Sequence, residues 1–180
     1  MGGFRRCRVG LRLLGFVTAS VVGASARCDV TGAEKRAPRV RLRDGVAAAA
    51  VENAIEQARR RLAEPECRKL LSDFTDASGR SLQAVLDDLQ STPEEYVSEL
   101  FFYDGSSHKS CRAGRARAVT APGSRVVLVC GREFARVRVS RPPGGYDFVV
   151  IHEMLHSLGL GEDPPSSSEI NARVRARCGH

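Results

Sequence analysis

The stretch Tyr146-Asp147-Phe148-Val149-Val150-Ile151-His152-Glu153-Met154-Leu155-His156-Ser157-Leu158 decides how the rest of the chain is read. Its apolar residues flank a polar trio, and the pattern is that of one buried amphipathic helix. On such a helix His152 and His156 lie one turn apart on the same face, so both imidazoles reach a single cation, and Glu153 projects beside them. The residue types suit zinc-dependent hydrolysis. Neutral imidazoles bind Zn2+, an open coordination position admits water, and a neighbouring carboxylate takes that water's proton. Chance produces H-E-x-x-H in about one chain of this composition in a few hundred, so the apolar setting matters to the reading. A plain core helix would have to bury two His and a Glu among apolar side chains for no return.

A catalytic zinc site needs a third protein ligand. The residues His156-Ser157-Leu158-Gly159-Leu160-Gly161-Glu162 extend the pattern to H-E-x-x-H-x-x-G-x-x-E. In this the chain resembles the zincin metallopeptidases, and their metzincin branch in particular. The resemblance spans about residues 144 to 178. It implies that Gly159 ends the helix with a positive φ and that Glu162 folds back as the third ligand with His152 and His156. Asp163 and Glu169 are the competing donors, Glu169 with a second role in a capping box with Ser166. The chain departs from the metzincin pattern in one respect. Its only methionines are Met1 and Met154, so no methionine turn follows the motif. The fold implied is α+β, a mainly helical zincin-like domain with a small sheet next to the H-E-x-x-H helix. The activity implied is peptide-bond hydrolysis by metal-activated water with Glu153 as general base and Zn2+ as cofactor. The partner implied is a peptide or protein substrate. Tyr146 and His180 are chemically competent donors to the oxyanion, and the Val126 to Val129 strand is an edge to which an extended peptide can add. Two readings of other kinds compete: an exported binding or structural module that keeps a metal, and a zinc amidase or deacetylase acting on a non-peptide substrate.

The N-terminus has the form of a signal peptide. Arg5, Arg6, Arg8 and Arg12 make a basic start, Leu13 to Ala26 is apolar or small, and Ala24-Ser25-Ala26 suits a signal peptidase. Export to the periplasm or the outside, with cleavage near Ala26, is therefore expected, with no stable membrane span afterwards. Arg27 before Cys28 argues against lipidation, which wants a small residue there. Removing residues 1–26 takes away four Arg and no acid, so the formal charge falls from +7 to +3. What remains calls for no nucleic-acid partner. Arg59-Arg60-Arg61 reads as the wet face of a helix. No residue pattern specifies an oligomeric state.

Cysteine usage fits an oxidising compartment. Cys7 leaves with the signal and Cys28 is the odd thiol, which leaves Cys67, Cys111, Cys130 and Cys178 to form two disulfides. Of the three pairings, Cys67 with Cys111 and Cys130 with Cys178 is favoured, the second tying the strand before the H-E-x-x-H helix to the last helix. Cys130 as a metal ligand is the competing role.

Residues 27–43 are charged, small and interrupted by Pro38, and read as a linker or flexible arm before a domain spanning 44–180. Asp44 caps a helix running to about Ala63, with Val51, Ile55, Ala58 and Leu62 at helical spacing. Helical turns follow from Cys67 to Phe74, then a turn over Asp76 to Gly79. Ser81 starts a helix with Leu82, Val85, Leu86 and Leu89 inward. Thr92-Pro93-Glu94-Glu95 starts another by a capping box, with Tyr96, Val97, Leu100 and Phe101 buried. Asp104 to Ser110 reads as a loop with His108 exposed. Val126 to Val129 is a short strand, and Phe134 to Val139 is a strand or a helix. After the metal helix, Gly159, Gly161 and Pro164-Pro165 reverse the chain into a last helix carrying Ile170, Val174 and Cys178.

Overall fold

Asp44 begins the longest helix by accepting hydrogen bonds from the amides of Val46 and Ala47, two of the donors that a helix start leaves orphaned. That helix, α1 (Gly45–Ala63), buries Val51, Ile55, Ala58 and Leu62 on one stripe, together with Ala47 and Ala54. The computed structural model describes residues 39–135 and 145–179, all within the unit Lys35–His180. The expected signal segment, residues 27–38 of the expected arm, and His180 lie outside the described residues.

After α1 come α2 (Pro65–Arg68) and a 3-10 turn over Lys69–Ser72, the helical turns expected from Cys67 onward. Next are α3 (Leu82–Asp88) and α4 (Pro93–Tyr96) with a further 3-10 turn over Val97–Glu99. The capping box of Thr92 and Glu95 forms as read, with Pro93 in the first turn. In α3 only part of the expected stripe turns inward. Leu82 and Leu86 are fully buried, whereas Leu89 is 42% exposed because the helix stops before it.

Four strands make the sheet: β1 (Arg39–Arg41), β2 (Phe101–Asp104), β3 (Ala118–Thr120) and β4 (Val126–Val129), in the order β1-β2-β4-β3. The first two pairings are parallel and β3 runs antiparallel to β4. Phe102, Val127 and Val129 point to the core, and Phe101, Tyr103 and Leu128 alternate onto the other face. The end of the segment read as an arm, Arg39–Arg41, is thus an edge strand. Val126 to Val129 is a strand as expected but an interior one, so the edge beside the H-E-x-x-H helix is β3 and not β4.

Four more helices complete the described residues: α5 (Lys109–Arg112), α6 (Gly131–Ala135), α7 (Tyr146–Ser157) and α8 (Ser167–Cys178). Phe134 therefore lies in a helix, while 136–139 fall outside the described residues. His108 is only half-buried and caps α5 through Nδ1. The architecture is α+β, largely helical with one small mixed sheet.

Two disulfides form, and both differ from the favoured pairing. Cys67 joins Cys178, and Cys111 joins Cys130, with Cα–Cα distances of 4.5 and 5.1 Å. The reason is packing: α8 lies against α2, which brings Cys178 to Cys67, and α5 folds back onto the end of β4, which brings Cys111 to Cys130. Cys130 is consequently no metal ligand. Arg61 departs from the wet-face reading as well. Its guanidinium pairs with the buried carboxylate of Asp147 on α7, donates to the carbonyl of Cys178 on α8, and covers the ring of Phe148. One side chain therefore joins three helices. Among the described residues no helix is long and apolar enough to cross a membrane.

Candidate metal centre

The helix α7 is buried on nearly every side, Val149 being its one half-buried residue, so its polar groups must find partners inside the protein. It starts at Gly145, whose φ of 99° lies in the left-handed region. It ends in a Schellman motif. Gly159 has a φ of 109°, as the resemblance implied, its amide donates to the His156 carbonyl, and the amide of Leu160 donates to the Leu155 carbonyl. Gly123 also donates to the His156 carbonyl, and the Tyr96 hydroxyl donates to that of Ser157. The motif residues thus sit on a helix whose end is fixed from three directions.

His152 and His156 meet as their spacing requires, with their Nε2 atoms 3.0 Å apart. What orients them is the other ring nitrogen. Nδ1 of His156 donates to the Leu160 carbonyl at 2.8 Å, and Nδ1 of His152 donates to Oδ1 of Asn171 on α8 at 3.0 Å. Both acceptors fix the tautomer with the proton on Nδ1, which leaves the Nε2 lone pairs directed at one another. Burial first, and the neighbouring His156 second, push the pKa of His152 down to about 4, against the opposing pull of Asn171 and Glu162. It is a neutral imidazole at ordinary pH.

Glu162 arrives from the reversal after α7. Its Oε1 lies 3.7 Å from Nε2 of His156 and 3.9 Å from Nε2 of His152. Donors about 2.0–2.1 Å from a tetrahedral Zn2+ stand about 3.3–3.4 Å from one another. The three observed separations, 3.0, 3.7 and 3.9 Å, bracket that value. Two neutral nitrogens and one carboxylate are also the donor set that a catalytic zinc takes. The residues present therefore fit the ion.

Neither competing donor joins them. Asp163 is exposed in a left-handed backbone conformation (φ 60°) and lies outside the cleft lining. Glu169 closes the capping box of α8, accepting from both the amide and the hydroxyl of Ser166 at 2.7 Å. Tyr146, a chemical candidate for the oxyanion donor, gives its hydroxyl to the Glu133 carbonyl at 2.6 Å and packs on Phe134. It is a packing residue.

Glu153 is 5% exposed and lines the same cleft. Burial pushes its carboxyl up to about 7, with the polar groups of Thr120 pulling the other way. Oε2 of Glu153 and Oγ1 of Thr120 are both buried without a hydrogen-bond partner. Neither makes a hydrogen bond of ordinary geometry, yet the Thr120 hydroxyl and amide are near enough to pull on the Glu153 carboxyl, so the two residues face one another in the cleft wall. The cleft measures about 500 Å³ and opens to solvent, with the two His, Glu153, Glu162, Asn171 and the strand β3 among its walls.

The orientation of β3 follows from its register. Cys130 donates to the Arg117 carbonyl, so the hydrogen-bonded pairs are Arg117 with Cys130 and Val119 with Leu128. Ala118 and Thr120 accordingly turn their backbone N–H and C=O away from β4, towards the side on which no further strand pairs among the described residues. Sequence reading did not find β3, Thr120 or Asn171. Three residues of alternation are too few to mark a strand, and Asn171 is one of several polar positions on an exposed helix until packing brings it to His152. No protein-family model, curated protein or solved structure matches the chain.

Proposed function

We propose that this chain is an exported zinc-dependent metallopeptidase of zincin-like type, with His152, His156 and Glu162 as metal ligands and Glu153 as general base. The observation that carries the reading is the pair of imidazoles whose Nδ1 protons are committed to Asn171 and Leu160, so that two Nε2 lone pairs converge at 3.0 Å beside a carboxylate. Lone pairs so placed repel one another unless a cation lies between them.

Bound zinc supplies Lewis acidity that polarises a carbonyl and acidifies water. The remaining steps belong to the chain. Glu153, next to the ligands and with one oxygen unpartnered, accepts the proton of the attacking water and returns it to the leaving amine. The outward amides and carbonyls of Ala118 and Thr120 hold an extended peptide by adding it to the sheet edge, which sets the scissile bond against Glu153. Burial of α7 holds the two imidazoles and Glu153 in place, so little ordering of these groups remains to be done when substrate binds. Export is supported by the basic and apolar start ending in Ala24-Ser25-Ala26, and by two disulfides that an oxidising compartment sustains.

The test combines metal content with cleavage of a broad peptide library. Wild type and Glu153→Gln should each hold one zinc, and the variant should cut at least about a hundredfold more slowly. His156→Ala and Glu162→Ala should lose the metal. A wild-type protein with stoichiometric zinc that cuts no library member would sink the proposal.

A further inference from the structure

The cleft carries charge that the metal centre does not use. Arg115 and Arg117 both line it, both are exposed, and neither meets an acidic side chain among the described residues. Arg59, Arg68, Arg125 and Arg177 pair with Glu56, Glu94, Glu99 and Asp73, whereas Arg41, Arg132 and Arg175 are, like these two, without an ion pair among the described residues; what sets Arg115 and Arg117 apart is that both line the cleft. The acids in the cleft wall are Glu153 and Glu162, and both belong to the centre. Among the described residues the arginine end is therefore a cationic wall with no ion pair within it, Glu133 standing nearby at the Tyr146 hydroxyl.

Its backbone is fixed. The Arg117 carbonyl accepts from Cys130, the Arg115 amide donates to the Ser110 carbonyl, and the Cys111–Cys130 disulfide clamps the helix before this segment to the strand after it. Arg117 immediately precedes β3 and stands three residues before Thr120. At about 3.3 Å per residue that is about 10 Å along the edge from the wall beside Glu153. A peptide added to β3 keeps the same spacing, so its residue opposite Arg117 lies about three places from the one opposite Thr120. The reach of an arginine side chain widens this to about two to four places.

We propose that Arg115 and Arg117 form a carboxylate-recognition subsite that selects peptides bearing Asp or Glu about two to four residues to one side of the bond that is cut. This rests on the peptidase reading above and adds its substrate class. A forked guanidinium matches a carboxylate with paired hydrogen bonds. Among the described residues the cleft wall holds two arginines and no Phe, Tyr or Trp, so it lacks the stacking platform that single-stranded nucleic acid uses.

The experiment uses the full-length chain loaded with zinc and synthetic peptide libraries that differ only in Glu or Gln at each position. Wild type is assayed for kcat/KM, and Glu153→Gln for peptide affinity by fluorescence anisotropy. Glu should be favoured over Gln roughly five- to tenfold on one side only, as one or two partly exposed ion pairs give. The ratio should fall to about one in Arg115→Gln/Arg117→Gln, stay partly raised in Arg115→Lys/Arg117→Lys, and shrink at high salt. Cleavage without acidic preference, or a preference that survives the double Gln variant, overturns the subsite and leaves the peptidase standing. Acid-selective binding that the double Gln variant abolishes, in a protein that cuts nothing, upholds the subsite and refutes the peptidase. Neither cleavage nor selective binding refutes both.

Discussion

A histidine that offers Nε2 to a metal must keep its proton on Nδ1, and here that duty falls to two acceptors of different strength. The Leu160 carbonyl is part of the backbone reversal and moves only if α7 is rebuilt. Asn171 is a side chain on α8, 3.0 Å from the ring it orients, and is removable without touching the fold. Asn171→Ala is therefore expected to weaken zinc binding by about ten- to a hundredfold while leaving the circular dichroism spectrum unchanged, as competition with a chromophoric chelator will measure. Unaltered affinity would mean that burial alone orients His152. The gathering of His152, His156 and Glu162 was legible in the sequence because i and i+4 on one helix is a local relation, and Glu162 follows within one short reversal. Asn171 and Thr120 were not, because each joins the centre through tertiary packing across 19 residues in one case and a sheet edge in the other.

Elements were legible in proportion to the length of their pattern. The helix α1 repeats its stripe over five turns, and both capping boxes set a start within four residues, so these read directly from the sequence. The strands β1, β2 and β3 span three or four residues each, too few for alternation to declare itself, and their pairing depends on partners far along the chain. The end of α7 shows what local chemistry does settle. Gly159 sits at φ 109°, and a Cβ there would stand 3.0 Å from Cβ of Asp76. Asp76 cannot easily yield, since its carboxylate accepts from Ser78 and Arg80 and holds the turn before Ser81. Gly159→Ala thus combines an unfavourable backbone conformation with a close contact, and should cost about 1–3 kcal/mol in a denaturant titration. Because the Leu160 carbonyl orients His156, the same variant should bind zinc more weakly. A variant with wild-type stability and metal affinity would show that the chain reverses here by other means.

At the scale of the whole molecule, the helices around the His152–His156 pair are tied together by residues that do not line the cleft. Arg61 joins α1, α7 and α8, the Cys67–Cys178 disulfide joins α2 to α8, and Asp73 grips Arg177 in a paired contact of 2.7 and 2.8 Å. None of this was readable from the sequence. Asp73 and Arg177 are 104 residues apart, and charged residues at such distance carry no signal of pairing. The Asp73 contact makes stability depend on pH in a definite sense. The hydrogen bond from Arg177 comes first in holding the Asp73 carboxyl below its ordinary 3.8, with the charges of Arg177 and Arg173 adding to it and partial burial opposing. A carboxyl depressed in the folded state stabilises the fold fully above its unfolded pKa, and the contribution disappears as pH falls through the lower folded value. Asp73→Asn should consequently lower the thermal midpoint by roughly 3 °C at pH 7, the scale expected of one partly exposed pair. The gap to wild type should stay constant down to about pH 5 and narrow below 3.8 as both proteins come to carry a neutral side chain. Scanning calorimetry across that range measures it, and a gap that widens on acidification would assign the effect to packing around Asp73 and not to its charge.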